Sequence, residues 1–84
     1  MFTVYVLKSL GSNNIYVGQT GDLDKRLERH NNGGSKATAR YKPWKIVLIY
    51  NYQTRTAALK REKELKSSRG RNFIRQQLGS ASVG

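Results

Sequence analysis

The chain of 84 residues has no cysteine, one proline, one histidine and only five acidic residues. The lack of cysteine excludes disulfide bridges, cysteine-based zinc sites and thiol nucleophiles. The longest later apolar run, residues 46–50, is far shorter than the ~20 residues that a membrane span needs. The apolar start of the chain is short and lacks a basic leader, so it is not typical of a secretory signal. We therefore expect a soluble, cytoplasmic protein.

The shortage of acidic residues leaves a strongly basic chain. Sixteen lysines and arginines against five acidic residues give a formal net charge of +11 at pH 7. No acidic residue occurs between Arg29 and Arg61. A basic stretch of this length indicates a polyanionic partner, most often a nucleic acid. The alternatives are a solvated basic surface without a partner and an acidic membrane surface, although no strongly amphipathic basic helix stands out.

The first half of the chain predicts two strands, a helix and a third strand within one small domain. Residues 2–7 and 15–19 are rich in β-branched and aromatic side chains and flank a turn cluster, which predicts an antiparallel hairpin. Thr20 or Asp22 is expected to cap the helix that follows. Residues 46–50 are apolar on both faces, so we predict that they form the central strand, with helices on each side.

The second half predicts two further helices and a tail. Thr54 or Thr56 is expected to cap a long helix, and a shorter helix is predicted for residues 71–78. The small and polar residues 79–84 are typical of a flexible chain end. The predicted organisation is therefore a domain over residues 1–78 followed by a flexible tail.

A basic loop is predicted between the first helix and the third strand. Its charge is carried by Lys36, Arg40, Lys42 and Lys45. Such side chains contact the phosphate backbone of nucleic acids, which provides affinity and salt dependence without sequence information. Trp44 is either a stacking platform for an unpaired base or a partly buried anchor before the strand, and we favour the anchor.

Three side chains suggest a chemical site. Glu62 falls on the apolar stripe marked by Ala58 and Leu65, where a carboxylate is costly unless it is paired or binds a metal ion. Both interpretations stay open: a metal ligand, or a glutamate at the rim that pairs with an arginine. Arg26 and His30 lie four residues apart on the first helix and therefore share a face, which suits phosphate chemistry.

Several short motifs follow one another in an order typical of one nuclease family. They are Tyr5 within residues 4–6, Tyr16-Val17-Gly18, Arg26 with His30, and residues 58–66 around Glu62. In this order and spacing the chain resembles the GIY-YIG nuclease family, and its small stand-alone bacterial members in particular, from about residue 2 to residue 78. The first motif departs from the family pattern because it keeps only the tyrosine.

The resemblance implies a fold and an activity. The implied fold is a single small α/β domain with a three-stranded antiparallel sheet flanked by helices, in the order β-β-α-β-α-α. The implied activity is endonucleolytic hydrolysis of DNA phosphodiester bonds with one divalent ion, Mg²⁺ or Mn²⁺, and Glu62 is the implied metal ligand. The implied catalytic residues are Tyr5, Tyr16, Arg26, His30 and Glu62.

The chemistry of these side chains agrees with that implication. A single carboxylate suffices for Mg²⁺, which keeps several waters and takes phosphate oxygens as ligands. The planar guanidinium of Arg26 suits the non-bridging oxygens of a phosphate, and the alternative for Arg26 is an exposed ion pair with Asp22 or Glu28. Either Tyr16 or His30 is the general base, and His30 titrates closer to neutrality.

Other roles remain for two of the residues, and other functions for the chain. Tyr5 alternatively packs within the sheet, and His30 alternatively caps the C-terminus of its helix.

The main functional alternative is a catalytically silent nucleic-acid-binding module on the same scaffold. A basic RNA-binding or ribosome-associated protein is a third reading, but it leaves Glu62 unexplained. The implied partner is DNA, with duplex, branched and single-stranded forms as alternatives, and DNA repair is one pathway that would use such an enzyme.

Overall fold

The computed structural model describes residues 1–34 and 36–83, with the side chains at positions 36, 37 and 79–83 outside the description. Its elements are β1 (Phe2–Ser9), β2 (Ile15–Thr20), α1 (Leu23–Asn31), α2 (Lys36–Ala39), β3 (Trp44–Tyr52), α3 (Arg55–Lys66) and α4 (Ser68–Val83). The strands form one antiparallel sheet in the order β2-β1-β3. The predicted fold class is confirmed, and α2 is a one-turn addition within the segment predicted as a loop.

The central strand is β1, because it pairs with β2 on one side and β3 on the other. The prediction that residues 46–50 form the central strand is therefore wrong. β3 is an edge strand, and Ile49 on it is 47% exposed. Helices pack on both faces of the sheet, so an edge strand is also apolar on both faces: Leu48 contacts one hydrophobic cluster and Ile46 the other.

Alternate residues of β1 enter two separate cores. The apolar core consists of Val4, Val6, Val17, Ala58, Leu65 and Ile74. The aromatic core consists of Tyr5, Leu7 and Trp44. Because successive side chains of a strand point to opposite faces, the two cores lie on opposite sides of the sheet. Helices α3 and α4 cover the first face, and α1 and α2 lie on the second.

The helix ends follow local signals in the sequence. The Asp22 carboxylate accepts a hydrogen bond from the backbone N–H of Lys25 at 3.2 Å, and so caps α1. The Thr54 hydroxyl accepts one from the N–H of Ala57 at 3.2 Å and caps α3. Gly33, just beyond α1, has a φ of +77°, a backbone conformation that favours glycine. The predicted caps are thus confirmed.

Helices α3 and α4 meet at a tight corner. At Gly70 a Cβ atom would overlap the carbonyl oxygen of Glu64 and the backbone of Leu65, so the corner requires glycine. α4 starts at Ser68, earlier than predicted, and runs to Val83. Residues 79–84 are predicted to form a flexible tail. The side chains at positions 79–83 and the whole of residue 84 lie outside the described part of the structure, so the flexible tail stays a prediction. Within the described residues, no helix is long and apolar enough to span a membrane.

Candidate active site

Tyr5 lies across the glycine of the second motif. Tyr5 and Gly18 face each other on β1 and β2, and a Cβ atom at position 18 would lie 2.5 Å from the Tyr5 hydroxyl oxygen. Glycine therefore leaves the space that the phenol ring occupies. Tyr5 is 1% exposed, and this burial raises the pKa of its hydroxyl. Tyr16 and the Glu62 carboxylate raise that pKa further, while Arg26 opposes the rise.

His30 joins Tyr5 to the short helix α2. Its Nε2 atom is hydrogen-bonded to the Tyr5 hydroxyl at 3.1 Å, and its Nδ1 atom to the Thr38 hydroxyl at 2.8 Å. His30 is 2% exposed, and burial lowers the pKa of its imidazole, as do the cations of Arg26 and Arg29. The imidazole is therefore neutral at pH 7. Its two ring nitrogens bind side chains, so His30 is a member of a buried network rather than a helix cap.

Tyr16 completes an aromatic group around His30. The ring centroids of Tyr16 and His30 are 4.7 Å apart, and those of Tyr5 and Tyr16 are 6.2 Å apart. The Tyr16 ring also meets Trp44 edge-on, at 6.4 Å between centroids. Tyr5 and His30 are buried, whereas Tyr16 is only partly buried. Of these three titratable side chains, Tyr16 is the one that solvent reaches.

Arg26 and Glu62 approach this group from two different helices. Arg26 lies on α1 and Glu62 on α3, both are partly buried, and the charge of each acts on the pKa of Tyr5. The Glu62 carboxylate accepts a hydrogen bond from the Lys66 ammonium at 2.7 Å, one turn further along α3. Glu62 is therefore a paired glutamate, as one of the two interpretations of the sequence predicts, but its partner is a lysine instead of an arginine. Of the five predicted catalytic residues, Tyr5, Tyr16 and His30 are thus in contact, and Arg26 and Glu62 act on Tyr5 through their charges.

The donor set near Glu62 fits one kind of metal site. In the part of the chain that the structure describes, no three His, Cys, Asp or Glu side chains come together. Mg²⁺ does not need such a cluster, because one or two carboxylates, waters and substrate phosphates complete its ligands. The Glu62 side chain is 19% exposed and paired only along its own helix, so its carboxylate is accessible to an ion.

The predicted nucleic-acid contacts surround α2. Three of them are exposed side chains, namely Arg40, Lys42 and Lys45. The side chain of Lys36 lies outside the described residues. Trp44 is 4% exposed, and its indole N–H donates to the carbonyl oxygen of Thr38 at 2.8 Å. The interpretation of Trp44 as a buried anchor is confirmed, and a stacking platform for bases does not fit this burial.

Two supporting residues had no signal in the sequence. Thr38 holds His30 through its hydroxyl, as described above, and Trp44 through its carbonyl. Asn31, at the end of α1, accepts a hydrogen bond from the backbone N–H of Trp44 at 2.6 Å and donates to the Trp44 carbonyl oxygen at 3.2 Å. A threonine in a basic loop and an asparagine in a helix-stop cluster follow no pattern that would mark such contacts in advance.

The motifs and the fold together match one protein family. A family model described as the GIY-YIG catalytic domain matches residues 1–75. The chain therefore belongs to the GIY-YIG family, a nuclease family whose substrates are nucleic acids. Within it, the chain is similar to the proteins named UPF0213, which are small stand-alone bacterial members.

Three of these relatives span most of the chain. A UPF0213 protein of Staphylococcus epidermidis is 37% identical over 75 residues, covering 88% of this chain and 84% of that protein. One from Staphylococcus aureus is 38% identical over 65 residues, covering 76% and 78%. The solution NMR structure of a UPF0213 protein from Bacillus halodurans aligns with a TM-score of 0.54 and 29% identity, covering 90% of this chain and 84% of that one.

Proposed function

We propose that this protein is a metal-dependent endonuclease that hydrolyses DNA phosphodiester bonds. The observation that carries the proposal is the convergence of Tyr5, Tyr16, Arg26, His30 and Glu62. These side chains come from four different elements, β1, β2, α1 and α3. Binding alone does not require such a group, whereas hydrolysis needs titratable and charged side chains around one phosphate.

Glu62 is the proposed ligand of one divalent ion, Mg²⁺ or Mn²⁺. The bound ion would supply Lewis acidity at the leaving oxygen. The chain's own contribution is a carboxylate that Lys66 holds in place at 2.7 Å. The Lys66 side chain is 51% exposed and can move into solvent, so this pair does not prevent the carboxylate from taking an ion instead.

Arg26 is the proposed clamp for the phosphate that is cut. Its planar guanidinium offers parallel N–H donors that match two non-bridging oxygens, which a lysine ammonium does not. Among the described residues neither of the ion pairs involves Arg26, so the alternative of a pair with Asp22 or Glu28 has no support. Its charge already acts on Tyr5 and His30, which fits a cation that faces the site.

Tyr16 is the proposed contact of the attacking water, and in its phenolate form it would accept the proton that the water loses. A general base must come within hydrogen-bonding distance of the proton that it removes. His30 is buried and both of its ring nitrogens are hydrogen-bonded to side chains, so it does not contact the attacking water itself. The proposed role of His30 is therefore to orient the Tyr5 hydroxyl through their hydrogen bond.

The test is nicking of supercoiled plasmid DNA with Mg²⁺ or Mn²⁺ by the wild type, Glu62→Gln and Glu64→Gln. Glu64 lies on the same helix and pairs with Arg61 at 3.2 Å, away from the proposed site, so Glu64→Gln is the matched control. We expect Glu62→Gln to cut at least about 100-fold more slowly while still binding DNA, because the carboxylate that holds the ion is lost. Glu64→Gln should cut like the wild type.

Two outcomes would contradict the proposal. Binding without cleavage by the wild type, on plasmid, branched and single-stranded substrates alike, would identify a catalytically silent binding module. Equal cleavage by the wild type and Glu62→Gln would show that the metal ligand is not Glu62.

A further inference from the structure

A groove runs from the candidate active site between the first hairpin and the last two helices. It consists of two adjoining cavities with volumes of about 310 Å³ and 340 Å³. Asn13, Ile15 and Arg75 line both cavities, so the two lie side by side. Lys66, which bonds the Glu62 carboxylate, lines the first cavity together with Tyr16, so one end of the groove lies beside the proposed metal ligand.

The groove is lined by cations without acidic neighbours. Its charged lining residues are Lys8, Lys66, Arg71 and Arg75. No acidic side chain lines it within the described part of the chain. Arg71 and Arg75 lie one turn apart on α4 and are exposed, so both present their guanidinium groups on one helix face. This row of charge is separate from the basic segment around α2 that the sequence analysis identified.

The remaining lining is polar at the rim and apolar at the floor. Asn13 and Asn14 add amide groups next to the cations, while Leu65 and Ile74 from the apolar core form part of the floor. Lys66 lines the groove and also bonds the Glu62 carboxylate, so the row of cations leads to the proposed metal ligand. The polar and cationic rim of the groove suits phosphate groups, and its apolar floor suits sugars or bases.

We propose that this groove binds the phosphate backbone of one single strand that leaves the active site. Each cavity has a volume at the lower end of the ~300–1,000 Å³ range of small-molecule sites, which suits a nucleotide unit and not a duplex. The proposal rests on the proposed nuclease function for the position of the cut, and it defines the substrate class. The preferred substrates carry a single-stranded segment next to the phosphate that is cut.

The test compares binding of three fluorescein-labelled DNAs by anisotropy in the absence of divalent ions. They are a short blunt duplex, the same duplex with a single-stranded tail, and the tail strand alone. The groove variant is Arg71→Gln with Arg75→Gln. The control is Lys60→Gln with Arg69→Gln, which removes the same charge from exposed positions of α3 and α4 that do not line the groove.

We expect the wild type to bind the tailed duplex more tightly than the blunt one, and the groove variant to bind both equally. On the single strand, the slope of log K against log salt should become shallower by about 1.4 in the groove variant, since each phosphate contact contributes about 0.7. The control should keep both the preference and the slope. A tail preference that survives in the groove variant, or an equal change in the control, would overturn the proposal.

A second variant guards against a folding defect on α4. Lys8→Gln changes the same groove from β1, and its slope should become shallower by about 0.7. An unchanged slope there would also overturn the proposal. The nuclease proposal fails separately, because these measurements involve no cleavage. If the wild type cut DNA with a divalent ion but did not prefer the tailed duplex, the nuclease proposal would stand and the groove proposal would be rejected.

Discussion

The two faces of the sheet differ in what they bury, although one strand supplies both. Val4 and Val6 of β1 enter the apolar core, whose members are all hydrocarbon side chains. On the other face, Tyr5 belongs to the aromatic core and is hydrogen-bonded to His30, which is in turn hydrogen-bonded to Thr38. The residues of both cores are therefore buried, but hydrogen-bonded polar side chains lie only on the side of the aromatic core.

Because of this difference, the two faces of the sheet should contribute differently to the free energy of unfolding. Hydrocarbon burial stabilises a fold at any pH, with roughly 25 cal/mol for each Å² removed from water. A buried hydrogen-bonded network adds little net stability, yet removal of one partner leaves a costly unsatisfied group. The face that carries α3 and α4 should thus dominate the free energy of unfolding, while the other face should dominate its pH dependence.

The largest expected effect concerns the apolar core. Leu65→Ala should lower the free energy of unfolding by about 2–5 kcal/mol, because Leu65 is 1% exposed and its truncation leaves a cavity. Leu59→Ala, on the same helix, is the control, since Leu59 is 47% exposed. Urea denaturation measures both. Similar losses in the two variants would contradict the assignment of stability to this core.

The next effect concerns the polar network. Thr38→Val keeps the shape of the side chain but removes the hydroxyl from His30, so the free energy of unfolding should fall by about 1–3 kcal/mol. Thr3→Val is the control, because the Thr3 hydroxyl donates to the Asn51 side chain in an exposed position. If the control lost as much stability as Thr38→Val, burial of the network would not be what makes it sensitive.

The third effect is a dependence on pH. The pKa of His30 is lowered in the folded protein, so below about pH 6.5 the unfolded chain takes up a proton first and acid favours unfolding. Stability contributed by neutral His30 should be present above that pH and be lost towards pH 5, by at most about 1.4 kcal/mol for each pH unit. Urea denaturation across this range should show a weaker dependence in His30→Gln; an identical dependence would contradict the buried, neutral imidazole.

The smallest effect concerns a polar contact outside both cores. Arg61 and Glu64 pair at 3.2 Å with side chains that are 30% and 51% exposed. Glu64→Gln should change the free energy of unfolding by less than about 1 kcal/mol, since solvent screens such pairs. A loss as large as that of Thr38→Val would mean that the presence of a polar contact, not its burial, sets its contribution.

Features set by neighbouring residues were predictable from the sequence. The caps at Asp22 and Thr54 depend on a side chain and a backbone N–H three residues later, so a short window contains all the information. The pairing of β1 with β2 needs only one turn. The resemblance to the family also gave the candidate site residues, because its motifs are recognised by the order and spacing of residues along the chain.

Features set by distant residues were not predictable. The position of β3 at the edge depends on which strand pairs with β1, and a run that is apolar on both faces does not distinguish the two arrangements. The role of Thr38 depends on the path that the chain takes after Gly33. The groove depends on α4 lying against the hairpin, which brings Arg71 and Arg75 near Asn13 although about sixty residues separate them.

The contact of Tyr5 with Gly18 has a consequence for how this chain can change. Any side chain at position 18 would occupy the volume of the Tyr5 phenol, and Gly18 is the partner of Tyr5 in the sheet. The two positions are thus one steric unit, although twelve residues lie between them. A larger residue at position 18 is tolerated only where the ring at position 5 is also lost, so sequence drift that preserves the tyrosine must preserve the glycine with it.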